Sequence, residues 1–325
     1  MNRSALPTLS LLALMAGTGL LACGDEPSAA GTPGSGAGGG SGGTGGAPAT
    51  TGTGAGTGVT VGSGAGGGGP VETYSVSIGP FDVPPGQEQT MCVVVDADND
   101  AAGMLRSIRT HLTEGSHHLI VTKIDDGSEQ LDPQPCSAFA HGGDALFIAE
   151  KPEMALTYPN GSGLPFAAHQ LVGIEMHFIN YQTSNLMIEG VVDFDIAPDD
   201  GSMKQVHLLF DGNTSISIPA QGQQSIESDH FLPAGAEMFA LTSHTHQLGV
   251  YASIHKTGSG GDELIHESFD WAEPPFDVFD PAMTFGSGEG LRLRCDFDNP
   301  TNQTVGFGTS FYDEMCFLWA HYLMP

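Results

Sequence analysis

From Tyr74 to the C-terminus the chain is cut into short runs that alternate apolar and polar residues or are rich in β-branched side chains. In the first part these are 74–78 (YSVSI), 91–95 (MCVVV), 118–121 (HLIV), 172–178 (VGIEMHF) and 191–196 (VVDFDI). The second part repeats the style at 206–210 (VHLLF), 216–218 (ISI), 238–241 (MFAL) and 291–295 (LRLRC). Turn formers such as Asp126-Gly127 and Pro159-Asn160-Gly161 separate them, which is the signature of strands. Only 101–112 reads as a helix. Many short strands without helical crossovers predict an all-β fold of antiparallel sandwiches. The turn-rich stretch 197–202 (APDDGS) marks a boundary between two domains, 71–200 and 201–325, each of ordinary size.

The N-terminal part is of another kind. Arg3, the apolar stretch 9–21 and the ending Leu20-Leu21-Ala22-Cys23 read as a bacterial lipoprotein signal peptide over 1–22, with Cys23 as the lipid-bearing residue. Residues 24–70 are almost wholly Gly, Ser, Thr, Ala and Pro, with Asp25 and Glu26 the charged exceptions. Such a composition buries too little apolar surface to offset ordering, so 23–70 is expected to be a disordered tether with a reach of roughly 40 Å. The expectation is an exported protein held to the cell envelope by lipid alone. Gly24 in place of an aspartate favours the outer membrane or cell surface over the inner membrane.

Acidic residues number 38 against 9 basic ones, for a net charge of −29. That excess excludes nucleic acid and anionic lipid as electrostatic partners. Five cysteines suit an oxidising compartment. Setting Cys23 aside leaves Cys92, Cys136, Cys295 and Cys316, whose three possible pairings the sequence leaves open. No Cys-x-x-Cys spacing points to thiolate metal ligation.

Chemistry concentrates in four segments: SHHLIVTK with His117 and His118, IEMHFINY with His177, LTSHTHQLGV with His244 and His246, and YDEMCFLWAHY with Met315. Three imidazoles in one half, and two with a thioether in the other, suggest two metal sites of different softness. Thioether with imidazole favours copper, whereas three histidines alone also suit zinc. His244 and His246 share one face of a predicted strand. His117 and His118, being adjacent, would face opposite ways on a regular strand, so a distortion at the strand entry is needed to bring both to one ion. The remaining histidines, His111, His141, His169, His207, His230, His255, His266 and His321, read as surface or structural. No nucleophile-elbow sequence supports a Ser–His–Asp hydrolase.

In order, these four motifs resemble the copper type II, ascorbate-dependent monooxygenases, relatives of peptidylglycine α-hydroxylating monooxygenase and dopamine β-monooxygenase. The likeness runs over about 74–325. It implies two antiparallel jelly rolls facing each other across a solvent-filled cleft, and the disulfides Cys92–Cys136 and Cys295–Cys316. It implies an electron-transfer copper on His117, His118 and His177, and an oxygen-binding copper on His244, His246 and Met315. The implied reaction is hydroxylation of an sp³ C–H bond by O2, with ascorbate or a similar reductant as cosubstrate. Where peptide-hydroxylating members carry an Arg, an Asn and a Tyr that hold a substrate carboxylate, this chain has Thr242, Phe317 and Trp319. The substrate is therefore expected to be a small uncharged or aromatic molecule. The alternative is a non-catalytic lipoprotein that binds or delivers copper at the envelope.

Overall fold

Alternating sequence is matched by strands. The structure, a computed structural model, describes residues 56–61, as backbone, and 70–325. Among these there are twenty-one strands and no helix. The first are β1 (Gly56–Val61), β2 (Glu72–Val83), β3 (Glu88–Asp96), β4 (Gly103–Leu112), β5 (Ser116–Ile124) and β6 (Gln130–Pro135). β7 (Asp144–Ala149), β8 (Glu153–Thr157), β9 (Ser162–Phe166), β10 (Leu171–Ile179) and β11 (Leu186–Ala197) complete the first half. The second half opens with β12 (Lys204–Gly212), β13 (Ser217–Ile218), β14 (Gly222–Phe231), β15 (Glu237–His244) and β16 (Gly249–Thr257). It closes with β17 (Glu263–Ser268), β18 (Asp277–Thr284), β19 (Gly290–Asn299), β20 (Val305–Gly306) and β21 (Phe317–Leu323).

Each run read as a strand from sequence overlaps one of these. Two expectations are corrected. The stretch 101–112 is not a helix but β4, paired with β11 on one side and with β8 and β9 on the other. The Gly-rich segment is not coil throughout, because β1 pairs antiparallel along β2. An edge strand needs only backbone hydrogen bonds, so a side-chain-poor segment can supply one. The segment read as a signal peptide, with Cys23, lies outside the described residues.

Two pairs of packed sheets result. In the first half, β2, β11, β4 and their neighbours cover β6-β3-β10-β5-β7, and the inward residues Val76, Ile108, Val121, Ile174 and Phe194 share one core. In the second, β12-β21-β15-β18 covers β14-β19-β16-β17 around Leu241, Ile254, Leu293, Phe297 and Leu318. The expected boundary at 197–202 falls in the connection from β11 to β12. The halves nonetheless stay joined, since β12 runs parallel to β9 at Lys204↔Ser162 and Gln205↔Gly163. All described residues belong to one compact unit.

The pair β15–β21 is the wall between the halves. Leu318 and Ala320 turn to the second core, while Leu323 of the same strand joins the first. β15 behaves alike, with Met238 and Leu241 on one side and Phe239 and Ala240 on the other, helped by an irregularity between Met238 and Ala240. This placement decides where the ends of β15 and β21 deliver their functional residues.

Both disulfides implied by the resemblance are present, Cys92–Cys136 and Cys295–Cys316. Cys295–Cys316 ties β19 to the residue after Met315 and closes a loop with a sequence separation of 21. By chain-entropy reasoning such a loop stabilises by about 3 kcal/mol. Replacing both cysteines with alanine should lower the unfolding free energy in urea by about that much. A loss of well under 1 kcal/mol would contradict the account.

Candidate metal centre

Strand β10 pairs with β5 so that His177 stands opposite His118, yet the next pair is Phe178↔Ser116. His117 is the extra residue of a β-bulge. A bulge lets two successive side chains turn toward one side, which is the distortion the adjacent histidines required. Both His117 and His118 are buried, and their ring centroids lie 5.1 Å apart, with His177 5.4 and 5.1 Å from them. The ligand nitrogens of the three fall within 4.8 Å of one another.

His244 is the last residue of β15, and His246 lies beyond it in the turn to β16. Only the first of the pair is therefore on a strand. Their rings still converge, 5.2 Å between centroids. Glu314 holds that turn, accepting the backbone N–H of His246 at 3.0 Å and of Leu248 at 2.6 Å. Gly249 closes it because a Cβ there would lie 2.3 Å from Thr245 Oγ1. Met315 follows Glu314 directly and lines one narrow chamber together with His118, His244 and His246.

The two sets are in contact. His118 lies 5.3 Å from His244, and its nitrogens group within 4.8 Å with those of His244 and His246 as well as with the first set. In place of an open solvent-filled cleft there is a closed seam with a small chamber beside it. Three contacts close it: Glu150 Oε1 to His244 Nδ1 at 2.5 Å, Phe311 N–H to Glu88 Oε1 at 2.8 Å, and His321 Nε2–H to the Leu146 carbonyl at 3.0 Å.

The outward nitrogens are tied and the inward ones are not. His177 Nε2 meets Glu88 Oε1 at 3.0 Å, and His246 Nδ1 donates to the Asp313 carbonyl at 3.0 Å. A carbonyl only accepts, so the His246 proton sits on Nδ1 and Nε2 keeps its lone pair. Left without any partner are both nitrogens of His117, Nδ1 of His118 and His177, and Nε2 of His246. Orphaned buried polar atoms are uncommon and costly, and five on converging rings fit a bound cation.

Burial holds the rings neutral, as metal ligands must be. It drives His117 and His118 well below the usual imidazole range, with the neighbouring rings adding to the effect, and lowers His177. Burial also brings His244 to about 4 and His246 to about 3. It pushes Glu150 well above the usual carboxylate range and Glu314 to about 7. One proton is thus shared between Glu150 and His244. A cation on Nε2 would keep that proton on Nδ1 and leave Glu150 a carboxylate, the familiar support of a ligating histidine.

Of the substrate-pocket candidates, Phe317 and Trp319 line the chamber. Thr242 does not, because it is buried elsewhere with its hydroxyl donating to the Pro275 carbonyl at 2.9 Å. Sequence reasoning did not single out Glu88, Glu150 or Glu314 as partners of the histidine sets. Only Glu314 carried a signal, standing beside Met315 in the DEMC segment.

His266, read as surface or structural, bridges Ser243 Oγ at 2.8 Å and Asp277 Oδ2 at 2.7 Å. The serine is 1% exposed, and the same arrangement recurs at Ser228, His230 and Asp211. The Ser243 network braces the strand that carries His244 and offers no accessible nucleophile.

Residues 213–325 match the family model described as copper type II ascorbate-dependent monooxygenase, C-terminal domain. No curated protein matches the chain. Among solved structures, the major capsid protein P2 of bacteriophage PM2 is similar at a TM-score of 0.31 and 9% identity, over 83% of this chain and 98% of that one. The PBCV-1 virus capsid is similar at 0.22 and 11%, over 83% and 94%. PBCV-1 VP54, fitted into a reconstruction of the virophage Sputnik, is similar at 0.22 and 10%, over 83% and 94%.

Depressed histidine pKa values tie stability to pH. As pH falls below 6.5 the unfolded chain takes up protons at His117, His118, His141, His177, His244, His246 and His321 that the folded chain refuses. Glu150, Glu175 and Glu314, raised by burial, act oppositely, but they are three against seven. Metal-free protein should therefore lose stability between pH 6.5 and 4.5, by about 1.4 kcal/mol per pH unit for each net proton. Urea denaturation at pH 6.5 and pH 5 measures it, and equal or greater stability at pH 5 would contradict it.

Proposed function

We propose that the chain is a dicopper monooxygenase that hydroxylates an sp³ C–H bond of a small, uncharged or aromatic molecule, with O2 and an ascorbate-like reductant. The observation that carries the reading is the set of converging, buried, partnerless histidine nitrogens beside Met315. The family match over 213–325, which spans His244, His246 and Met315, supports it.

His117, His118 and His177 would hold the electron-transfer copper, and His244, His246 and Met315 the oxygen-binding one. Copper bound there would supply one-electron redox chemistry and the activation of dioxygen. Everything else falls to the protein. Glu88, Glu150 and the Asp313 carbonyl orient the rings and fix their tautomers. Contact between His118 and His244, with ring centroids 5.3 Å apart, brings the two sets together. Phe139, Phe210, Phe317 and Trp319 make the chamber wall apolar, which suits an uncharged substrate and keeps water from the reacting carbon. We further propose that the chain is exported and held to the envelope through a lipid on Cys23.

Met315→Ala is the direct test, read by copper counting and by ascorbate-dependent oxygen uptake. Wild type should bind two copper ions, one for each ligand set. The variant should lose more than about tenfold in activity while the His117, His118 and His177 set keeps its copper. Unchanged copper content and activity would make Met315 a core residue only. Full copper loading without oxygen uptake on any substrate would favour the copper-delivery reading, and zinc in place of copper would overturn both.

A further inference from the structure

Two side chains that line the chamber each keep one unpaired polar atom, and neither belongs to the ligand sets. Glu175 lies two residues before His177 on β10, hence on the same face. It is 6% exposed, and Phe139 N–H donates to its Oε2 at 2.6 Å, but Oε1 has no partner. Trp319, 1% exposed, lines the same chamber from β21, and its Nε1–H is also unpaired. The wall around them is apolar: Trp319 packs on Phe210 at 4.5 Å, and Phe210 on Phe139 at 4.9 Å.

Resting on the monooxygenase reading, the geometry points to Glu175 and Trp319 as the polar anchor of an uncharged substrate. Its head group both donates and accepts a hydrogen bond, as an amide or hydroxyl does, on an aromatic body. An unpaired buried donor and an unpaired buried acceptor are each costly, and one occupant of that kind satisfies both. An ammonium would satisfy Glu175 but present N–H to the N–H of Trp319. A carboxylate would satisfy Trp319 but enter an apolar wall that holds no Lys or Arg to balance it. Pair and wall together select against both charges, and the first half of the chain thereby reads the substrate as well as the second.

The chamber's cavity volume is only about 10 Å³ for the centre of a water molecule. That is room for about one water, so a larger occupant must displace the wall. Phe139 is the part of that wall bonded to the anchor. It holds a left-handed backbone, φ 58°, uncommon for a bulky residue, in the segment between Cys136 and the pair Gly142-Gly143. Its N–H bond to Glu175 Oε2, at 2.6 Å, couples any displacement of this wall to the anchor.

The test is equilibrium titration of the full chain, metal-free, by ligand-detected NMR with four probes of similar size: phenylacetamide, phenylacetone, phenethylammonium and phenylacetate. Phenylacetamide should bind about tenfold tighter than each of the others. Glu175→Leu should weaken phenylacetamide about tenfold and leave phenylacetone unchanged, whereas Trp319→Phe should weaken both. If circular dichroism shows Glu175→Leu to be unfolded, Glu175→Gln serves: its new donor should shift preference toward phenylacetone. Equal binding of all four probes, a preference that survives every folded Glu175 variant, or no binding at all would overturn the proposal. The last outcome would mean that a bridging water is the only occupant. Because no copper enters these titrations, their outcome is separate from the copper count that tests the monooxygenase reading.

Discussion

Packing five buried imidazoles into one seam is the constraint from which the rest follows. A buried ring must be neutral, and a neutral ring has one donor and one acceptor to place. Here the outward nitrogens of His177, His244 and His246 are placed on Glu88, Glu150 and the Asp313 carbonyl. The inward ones face each other with nothing to accept or donate. Lone pairs converging in a low-dielectric interior favour a cation, so the protein acts as a preorganised, proton-free ligand set.

That arrangement depends on the wall made by β15 and β21. Because alternate residues of these strands serve two different cores, His244, Trp319 and His321 are delivered to the side where Glu150, Glu175 and Leu146 of the first half meet them. The bulge at His117 does the equivalent work opposite, turning both adjacent rings into the seam. His177 and His246 are oriented from within their own halves, by Glu88 and the Asp313 carbonyl, whereas His244 is oriented across the seam by Glu150. Closure of the seam is therefore part of assembling the second ligand set.

Much of this was legible in the sequence, for physical reasons. Strands show themselves through period two, and the histidine segments through residue type. The need for a distortion at His117 followed from the geometry of adjacent residues on a strand. Residues 101–112 misled because Met104, Leu105, Ile108 and Leu112 imitate a helical stripe. In fact β4 is buried on both faces, so apolar residues fall on either side of it. β1 escaped notice because its pairing is a backbone matter that Gly-rich composition conceals. Glu88, Glu150 and Glu175 could not be found along the chain, since the importance of a glutamate there comes entirely from what tertiary packing sets against it. Thr242 failed for a similar reason: the loop carrying Pro275 claims its hydroxyl.

The central claim is that these converging donors hold two chemically different copper ions, one with thioether. Copper-edge X-ray absorption on the reduced, copper-loaded protein tests it most directly. The account predicts nitrogen scatterers at both ions and, on average, one sulfur for every two coppers, supplied by Met315. A spectrum with nitrogen and oxygen scatterers alone, at full copper loading, would contradict it.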